Sequence, residues 1–144
     1  MPGGKVRLEE VKLACMRAYS AYNLTGILAD QWQTEYMCEQ LASEGVPMRT
    51  LQFTLKTCDK MATTLLDAFS NQRIDMYRDR ALIRDLGKLS TVERRQGFKL
   101  EATRDEHGHC DRATAMVLAL FWGKEIFDGG YQFHGEPEPE ILRA

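Results

Sequence analysis

The fold prediction begins from Leu24-Thr25-Gly26-Ile27-Leu28-Ala29-Asp30, because a short apolar run that ends at an acid is typical of a buried strand. Apolar residues at helical spacing precede it and predict a helix over about 7–22. A second helix is predicted over 33–44, with Gly45 as its stop, and a second strand over 47–54. This order predicts an α/β fold in which the two strands are parallel neighbours joined by a right-handed crossover.

The rest of the chain continues the mixed pattern. The predicted elements are helices at 57–71 and 79–89 with a short extended piece at 74–77 between them, a β-hairpin with strands 91–95 and 98–103 around Gln96-Gly97, and a last helix at about 111–123. Residues 125–144 are acidic and lack periodicity, so we expect a flexible tail there. Residues 1–124 are expected to form one domain.

Composition limits the classes of function. The chain has 144 residues, 44% of them hydrophobic, which is enough for an ordinary domain with a core. The formal net charge is −2, so the whole molecule is not a general polyanion binder. Charge is uneven, however: residues 73–104 hold nine Lys or Arg against five acids, and residues 125–144 hold five acids against one Arg. A local positive face on a nearly neutral protein is therefore expected.

The cysteines and the apolar runs indicate the cellular compartment of the protein. The four cysteines, which are Cys15, Cys38, Cys58 and Cys110, include no CxxC pair, so free thiols are expected. No apolar run approaches membrane-spanning length and no signal peptide is evident, which predicts a protein without membrane partners in a reducing cytoplasm. The chain has no P-loop and no Gly-x-Ser-x-Gly, so neither ATP binding of that kind nor a serine nucleophile is expected.

The stretch His107-Gly108-His109-Cys110-Asp111 brings polar groups to the start of the last helix. A carboxylate at the rim of a packed element is what a hard divalent cation needs, and Asp111 has that position. Asp30 has a similar one, because ligands collect at the carboxyl ends of strands in α/β sheets. The alternative for both acids is helix capping, and the two histidines are alternatively solvated loop residues. His109 is placed to orient a ligand or carry a proton, and Glu101 and Asp105 are further candidate acids.

Several motifs in sequence order carry a family resemblance. They are Gly26-Ile-Leu-Ala-Asp30-Gln-Trp-Gln-Thr-Glu-Tyr, Leu41-Ala-Ser-Glu-Gly45-Val, Phe53-Thr, Met61-Ala-Thr-Thr-Leu-Leu-Asp-Ala-Phe, Leu86 with Leu89, and Gly108-His-Cys-Asp111-Arg-Ala-Thr-Ala-Met-Val-Leu-Ala-Leu120. Over about residues 5–123 this order is similar to the carboxy-terminal nuclease domain of the large terminase subunit of tailed bacteriophages and prophages. The match depends on the order of the motifs, since no single one is decisive.

The resemblance implies an incomplete RNase H-like fold, with a short, mostly parallel sheet flanked by helices plus a β-hairpin. It implies a metal-dependent endonuclease that cuts double-stranded DNA with two Mg²⁺ or Mn²⁺ ions in the cytoplasm of a bacterial host. Asp30 and Asp111 match two metal-binding acids, and His109 stands beside the second as a catalytic group. Two metals activate water and stabilise the leaving oxygen. Contacts with DNA phosphates are expected from basic residues, namely Arg94, Arg95, Lys99, Arg104 and Arg112.

The chain also departs from the family. The strand that carries the first catalytic acid and the ATPase domain are missing from this sequence, which implies a fragment or one piece of an assembly. The chain has two of the family's three metal-binding acids, so weak metal binding is expected. Glu10 and Glu101 are candidates to replace the third acid, although their spacing in the sequence favours neither. The rest of the terminase, its small subunit or the portal are the implied partners. The alternatives are a non-catalytic protein-interaction module or terminase remnant whose exposed sheet edge is covered by self-association or by a partner, and a small helical DNA-binding protein using residues 79–112.

Overall fold

The computed structural model of the protein describes residues 6–31, 34–103 and 110–128. These residues form five helices and four strands, arranged as one parallel and one antiparallel pair of strands. The mixed α/β class is therefore confirmed. The chain divides into two compact units on either side of the boundary between Gln52 and Phe53. The assignment of residues 1–124 to a single domain stays a prediction.

The first unit has the predicted order of helix, strand, helix and strand, as α1 (Leu8–Ala21), β1 (Ile27–Asp30), α2 (Glu35–Ser43) and β2 (Met48–Leu51). The two strands are parallel neighbours, as predicted, with Ile27 opposite Met48 and Asp30 opposite Leu51. Gly45 follows α2 with a φ of 76°, a left-handed conformation that a residue without a Cβ adopts at little cost. The stop predicted at this glycine is confirmed.

The core of the first unit lies between its helices and its strands. Met37, Leu41 and Val46 are buried, and half-buried side chains of α1 and the two strands pack against them. Helix α1 has no fully buried residue, so it contributes to this core only through half-buried side chains on one face. At the edge of this core, Lys12 Nζ lies 3.1 Å from Glu44 Oε1. That hydrogen bond to Glu44 raises the pKa of the Lys12 ammonium.

The second unit consists of α3 (Leu55–Ser70), α4 (Arg80–Gly87), β3 (Leu89–Arg94), β4 (Gly97–Ala102) and α5 (Asp111–Asp128). The two strands form the predicted hairpin, with Leu89 opposite Ala102 and Arg94 opposite Gly97. The turn differs from the prediction by one residue. Its two-residue loop is Arg95-Gln96, and Gly97 already belongs to β4 with a φ of 106°. The glycine is needed because most side chains avoid that conformation.

Helix α3 is the central element of the second unit, because it contacts both β4 and α5. It begins with a capping box in which Thr54 Oγ1 accepts from the Thr57 backbone N–H and the Thr57 hydroxyl accepts from the Thr54 N–H. Its buried face consists of Met61, Ala62, Leu65 and Ala68, and the buried residues of α5 are Ala113, Val117, Leu118 and Phe121. The unit therefore has a helix–helix core with the hairpin packed against α3.

Helix α5 extends five residues beyond the predicted end at residue 123 and reaches Asp128. Gly123 does not end it, because good helix formers follow and two ion pairs support the extra turn. Lys124 Nζ lies 3.0 Å from Asp128 Oδ2, and Lys60 Nζ of α3 lies 3.0 Å from Glu125 Oε1. The first four residues of the predicted tail are therefore helical, and residues 129–144 lie outside the described residues.

Two further expectations concern segments without regular structure. Residues 74–77, expected to be extended, pair with no strand in the described part of the chain. Of the helices in the described ranges, none combines the length and the apolar character that crossing a membrane requires.

Candidate functional site

Asp30 occupies the predicted position at the carboxyl end of a strand. It is the last residue of β1 and is half-buried. Its backbone carbonyl accepts a hydrogen bond of 2.6 Å from Thr34 Oγ1. Helix α2 begins at Glu35 with Thr34 as its N-cap, so the alternative in which Asp30 caps this helix is wrong. The Thr34 hydroxyl instead ties the start of α2 to the strand end that carries Asp30.

Asp111 is the first residue of α5 and is exposed to solvent. The preceding Cys110 is buried, and its carbonyl accepts hydrogen bonds of 2.9 Å from both the N–H and the hydroxyl of Thr114. These contacts fix the first turn of α5, so the Asp111 carboxylate starts from a firmly anchored backbone. A negative charge there also complements the positive end of the helix dipole, which stabilises the start of α5.

Not all predicted site residues can be placed. Asp30 belongs to the first unit and Asp111 to the second, and their pairing in a two-metal site stays a prediction. His109 and Arg104, together with His107 and Asp105, lie outside the described residues. Within residues 6–31, 34–103 and 110–128, no three His, Cys, Asp or Glu side chains come together in a group that could hold a metal ion.

The two acids considered as a third metal ligand are both engaged with cations. Glu10 Oε1 in α1 lies 3.6 Å from Arg7 Nη1. Glu101 Oε1 in β4 lies 3.2 Å from Arg94 Nη2 and 3.6 Å from Lys99 Nζ. These pairs are exposed and therefore weak, so they compete only modestly with a metal ion or a phosphate group.

The basic residues predicted to contact DNA divide into two groups in the second unit. Arg94 and Lys99 share the Glu101 carboxylate on the hairpin, which offsets part of their charge. Arg95 is exposed in the hairpin loop, and Arg112 is exposed in the first turn of α5. The hairpin therefore carries three of the predicted DNA-contacting cations and two acids, Glu93 and Glu101, and Glu101 offsets part of the charge of two of those cations.

Sequence reasoning missed a large groove in the second unit. It has a volume of about 1140 Å³ and runs along α5, with α3, the first turn of α4 and residues 73–79 as its other walls. Its apolar residues are Ala68, Ile74, Met76, Leu82, Ala115, Met116, Ala119 and Leu120. A signal was present, because α5 is apolar on more than one face, and such a helix needs cover on more than one side.

The charges on the rim of this groove are mostly satisfied within the unit. Arg73 Nη1 lies 3.4 Å from Asp67 Oδ2, and Lys124 pairs with Asp128 at 3.0 Å. Asp79 is the N-cap of α4, and its Oδ1 accepts from the Leu82 N–H at 2.7 Å. Two rim residues differ. Neither Arg112 nor Asp75 forms an ion pair or a side-chain hydrogen bond with another residue in the described ranges.

A smaller cavity of about 150 Å³ lies between α3, the hairpin and α5, and its lining includes Phe53, Cys58, Lys99 and Val117.

As predicted, all four cysteines are free thiols. Burial raises the pKa of Cys15 and Cys38, so neither thiol is activated as a nucleophile.

Comparisons of this chain with models of protein families, with curated proteins and with solved structures gave no match.

Proposed function

We propose that this chain is a metal-dependent DNA endonuclease module of the kind found in the large subunit of viral DNA-packaging terminases, with Asp30 and Asp111 as metal ligands. One observation carries the proposal: Asp30 ends β1 in a parallel pair and is not the cap of the next helix. That is where α/β folds place residues that bind ligands. The proposal includes an RNase H-like arrangement of the strands.

The donor chemistry agrees with Mg²⁺ or Mn²⁺. Both ions prefer hard oxygen donors, and each of the two acids supplies a carboxylate. When bound, such ions activate a water molecule and stabilise the leaving 3′ oxygen. In this scheme His109 carries a proton next to Asp111. Arg95 holds a DNA phosphate, because it is exposed and makes no ion pair with other residues in the described ranges.

Nicking of supercoiled plasmid in the presence of Mn²⁺ tests this function. The full chain is compared with its Asp30→Asn and Asp111→Asn variants, because an amide keeps the size of the side chain and removes its charge. Each variant is expected to lose nicking activity. Glu39→Gln is the matched control, since Glu39 is an exposed acid on α2 and is not among the residues proposed to bind metal or DNA. Activity that both Asp→Asn variants retain would show that the assignment of these ligands is wrong.

The groove supports a second candidate function, a non-catalytic module that binds a protein partner. Apolar grooves with a charged rim are typical of protein interaction sites. The two functions differ in their response to metal. A nuclease module is expected to show a higher melting temperature in millimolar Mn²⁺, since a ligand that binds the folded state stabilises it. A pure interaction module is expected to show no shift and no nicking activity.

A further inference from the structure

We propose that the groove of the second unit is the contact surface of a homodimer, in which Arg112 of each copy pairs with Asp75 of the other. This inference does not depend on the proposed nuclease function, because it concerns neither Asp30 nor Asp111. It identifies an interaction surface and its occupant, which is a second copy of this chain.

The unpaired charges on the rim of the groove indicate which partner binds there. The rim has three basic residues (Arg73, Arg112 and Lys124) and four acids (Asp67, Asp75, Asp79 and Asp128), so it favours neither a strongly acidic nor a strongly basic partner. Two ion pairs and one helix cap use five of these seven charges. One cation and one acid remain without a partner in the described part of the chain, namely Arg112 and Asp75. A two-fold axis satisfies both at once, because an isologous interface makes every contact twice.

The apolar part of the groove supports the same conclusion. Met116 and Leu120 of α5 remain half-exposed there, beside the exposed Ala115 and Ala119. Tyr77 stands on the rim with 79% of its surface exposed. Tyrosine is enriched among residues that dominate binding energy, since it buries a large ring and keeps its hydroxyl hydrogen-bonded. A Tyr77 side chain from each copy has an apolar floor to lie on in the groove of the other copy.

The size of the groove favours a macromolecule over a small ligand. Its volume of about 1140 Å³ exceeds the range of roughly 300–1,000 Å³ that is usual for small-molecule pockets. Helix α5, which forms one long wall, has 18 residues and is therefore about 27 Å long. A wall of that length is suited to a protein surface, and a second copy of this chain supplies charges that complement the rim.

The test measures the molar mass of the full chain by sedimentation equilibrium over a range of concentrations. The wild-type chain is expected to dimerise. Arg112→Asp places two acids opposite each other at both ends of the interface, and Asp75→Arg places two cations there. Each single variant is expected to weaken dimerisation on the order of tenfold or more, since like charges in an interface cost several kcal/mol. An acid at position 112 suits the start of a helix, so folding should tolerate it.

Mixing the two variants gives the decisive result. A heterodimer of Arg112→Asp with Asp75→Arg restores an opposite pair at both ends, so the mixture is expected to dimerise although each variant alone does so poorly. Ala119→Glu, on the floor of the groove, is expected to abolish the dimer, whereas Ala42→Glu on exposed α2 leaves it intact. The proposal is overturned by a wild-type chain that stays monomeric, by single variants that dimerise as the wild type does, or by a mixture that stays monomeric.

Discussion

The carboxylate of Asp59 in α3 accepts a hydrogen bond of 2.7 Å from the Phe98 backbone N–H, at the start of β4. The same carboxylate occupies the space beside Gly97, where an ideally placed Cβ would lie 2.6 Å from Asp59 Cγ. Gly97 also has a φ of 106°. The hairpin therefore turns directly against α3, and this contact depends on the absence of a side chain at Gly97.

Replacing Gly97 with alanine is expected to destabilise the second unit by about 1–3 kcal/mol, because a strained backbone and a clash with Asp59 act together. Urea denaturation followed by circular dichroism measures the loss. Gly87→Ala is the matched control, since Gly87 ends α4 with open space around it. It is expected to be neutral or slightly stabilising. Equal stability of the two variants would contradict the role given to Gly97.

The capping box at the start of α3 yields a second prediction. Thr54→Ala removes the hydroxyl that accepts from the Thr57 N–H, which is expected to cost about 1 kcal/mol of unfolding free energy. Thr54→Ser keeps the hydroxyl and should keep most of the stability. Thermal unfolding of both variants under the same conditions checks the difference. A serine variant as unstable as the alanine variant would indicate that the threonine methyl group matters more than the cap.

The core of the first unit is expected to be sensitive at Leu41, which is fully buried. Leu41→Ala should cost about 2–5 kcal/mol, because it removes apolar contacts and leaves a cavity. Leu13→Ala on α1 should cost less than about 1 kcal/mol, since Leu13 is 44% exposed. Chemical denaturation monitored by tryptophan fluorescence separates the two. Similar losses would mean that α1 packs more tightly than its exposure indicates.

Cysteine alkylation is expected to depend on pH in a defined direction. Burial raises the pKa of Cys15 and Cys38, so their reactive thiolate forms appear at higher pH than for an exposed thiol. Because the folded-state pKa lies above the unfolded one, the associated stability is present below the ordinary thiol pKa and is lost as pH rises through the folded value. Iodoacetamide labelling read by peptide mass spectrometry tests this, with the urea-unfolded chain as control. Equal pH profiles in both states would contradict it.

Glu101 on the hairpin provides a test of the proposed DNA contacts. Glu101→Gln releases Arg94 and Lys99 from a shared carboxylate and is expected to strengthen DNA binding. The slope of log affinity against log salt should steepen by about 1 for each additional phosphate contact. Fluorescence anisotropy with a short DNA duplex measures both quantities. Arg95→Gln should have the opposite effect, and a chain that responds to neither substitution does not bind DNA through this hairpin.

Local features of the sequence were sufficient to predict most of the elements. The parallel pair β1–β2 follows from an apolar run on each side of a helix that ends at Gly45, and the hairpin follows from two strand patterns around Gln96-Gly97. The end of α5 was placed too early, because Gly123 is usually a stop signal. The ion pair between Lys60 and Glu125, from residues 65 positions apart, helps to hold the helix beyond that point. No local pattern contains such a contact.

Periodicity, capping residues and glycines act over a few neighbouring residues, so the order and type of the elements can be predicted from the amino-acid sequence. The sequence also placed Asp30 at a strand end and Asp111 at a helix start. The pairing of charges depends on the folded structure, because Glu101, Arg94 and Lys99 come together through the pairing and pleat of the hairpin. The folded structure also decided that α5 lines a groove where Arg112 and Asp75 lack partners in the described chain. Those properties depend on contacts between distant residues, which hydrophobic periodicity does not encode.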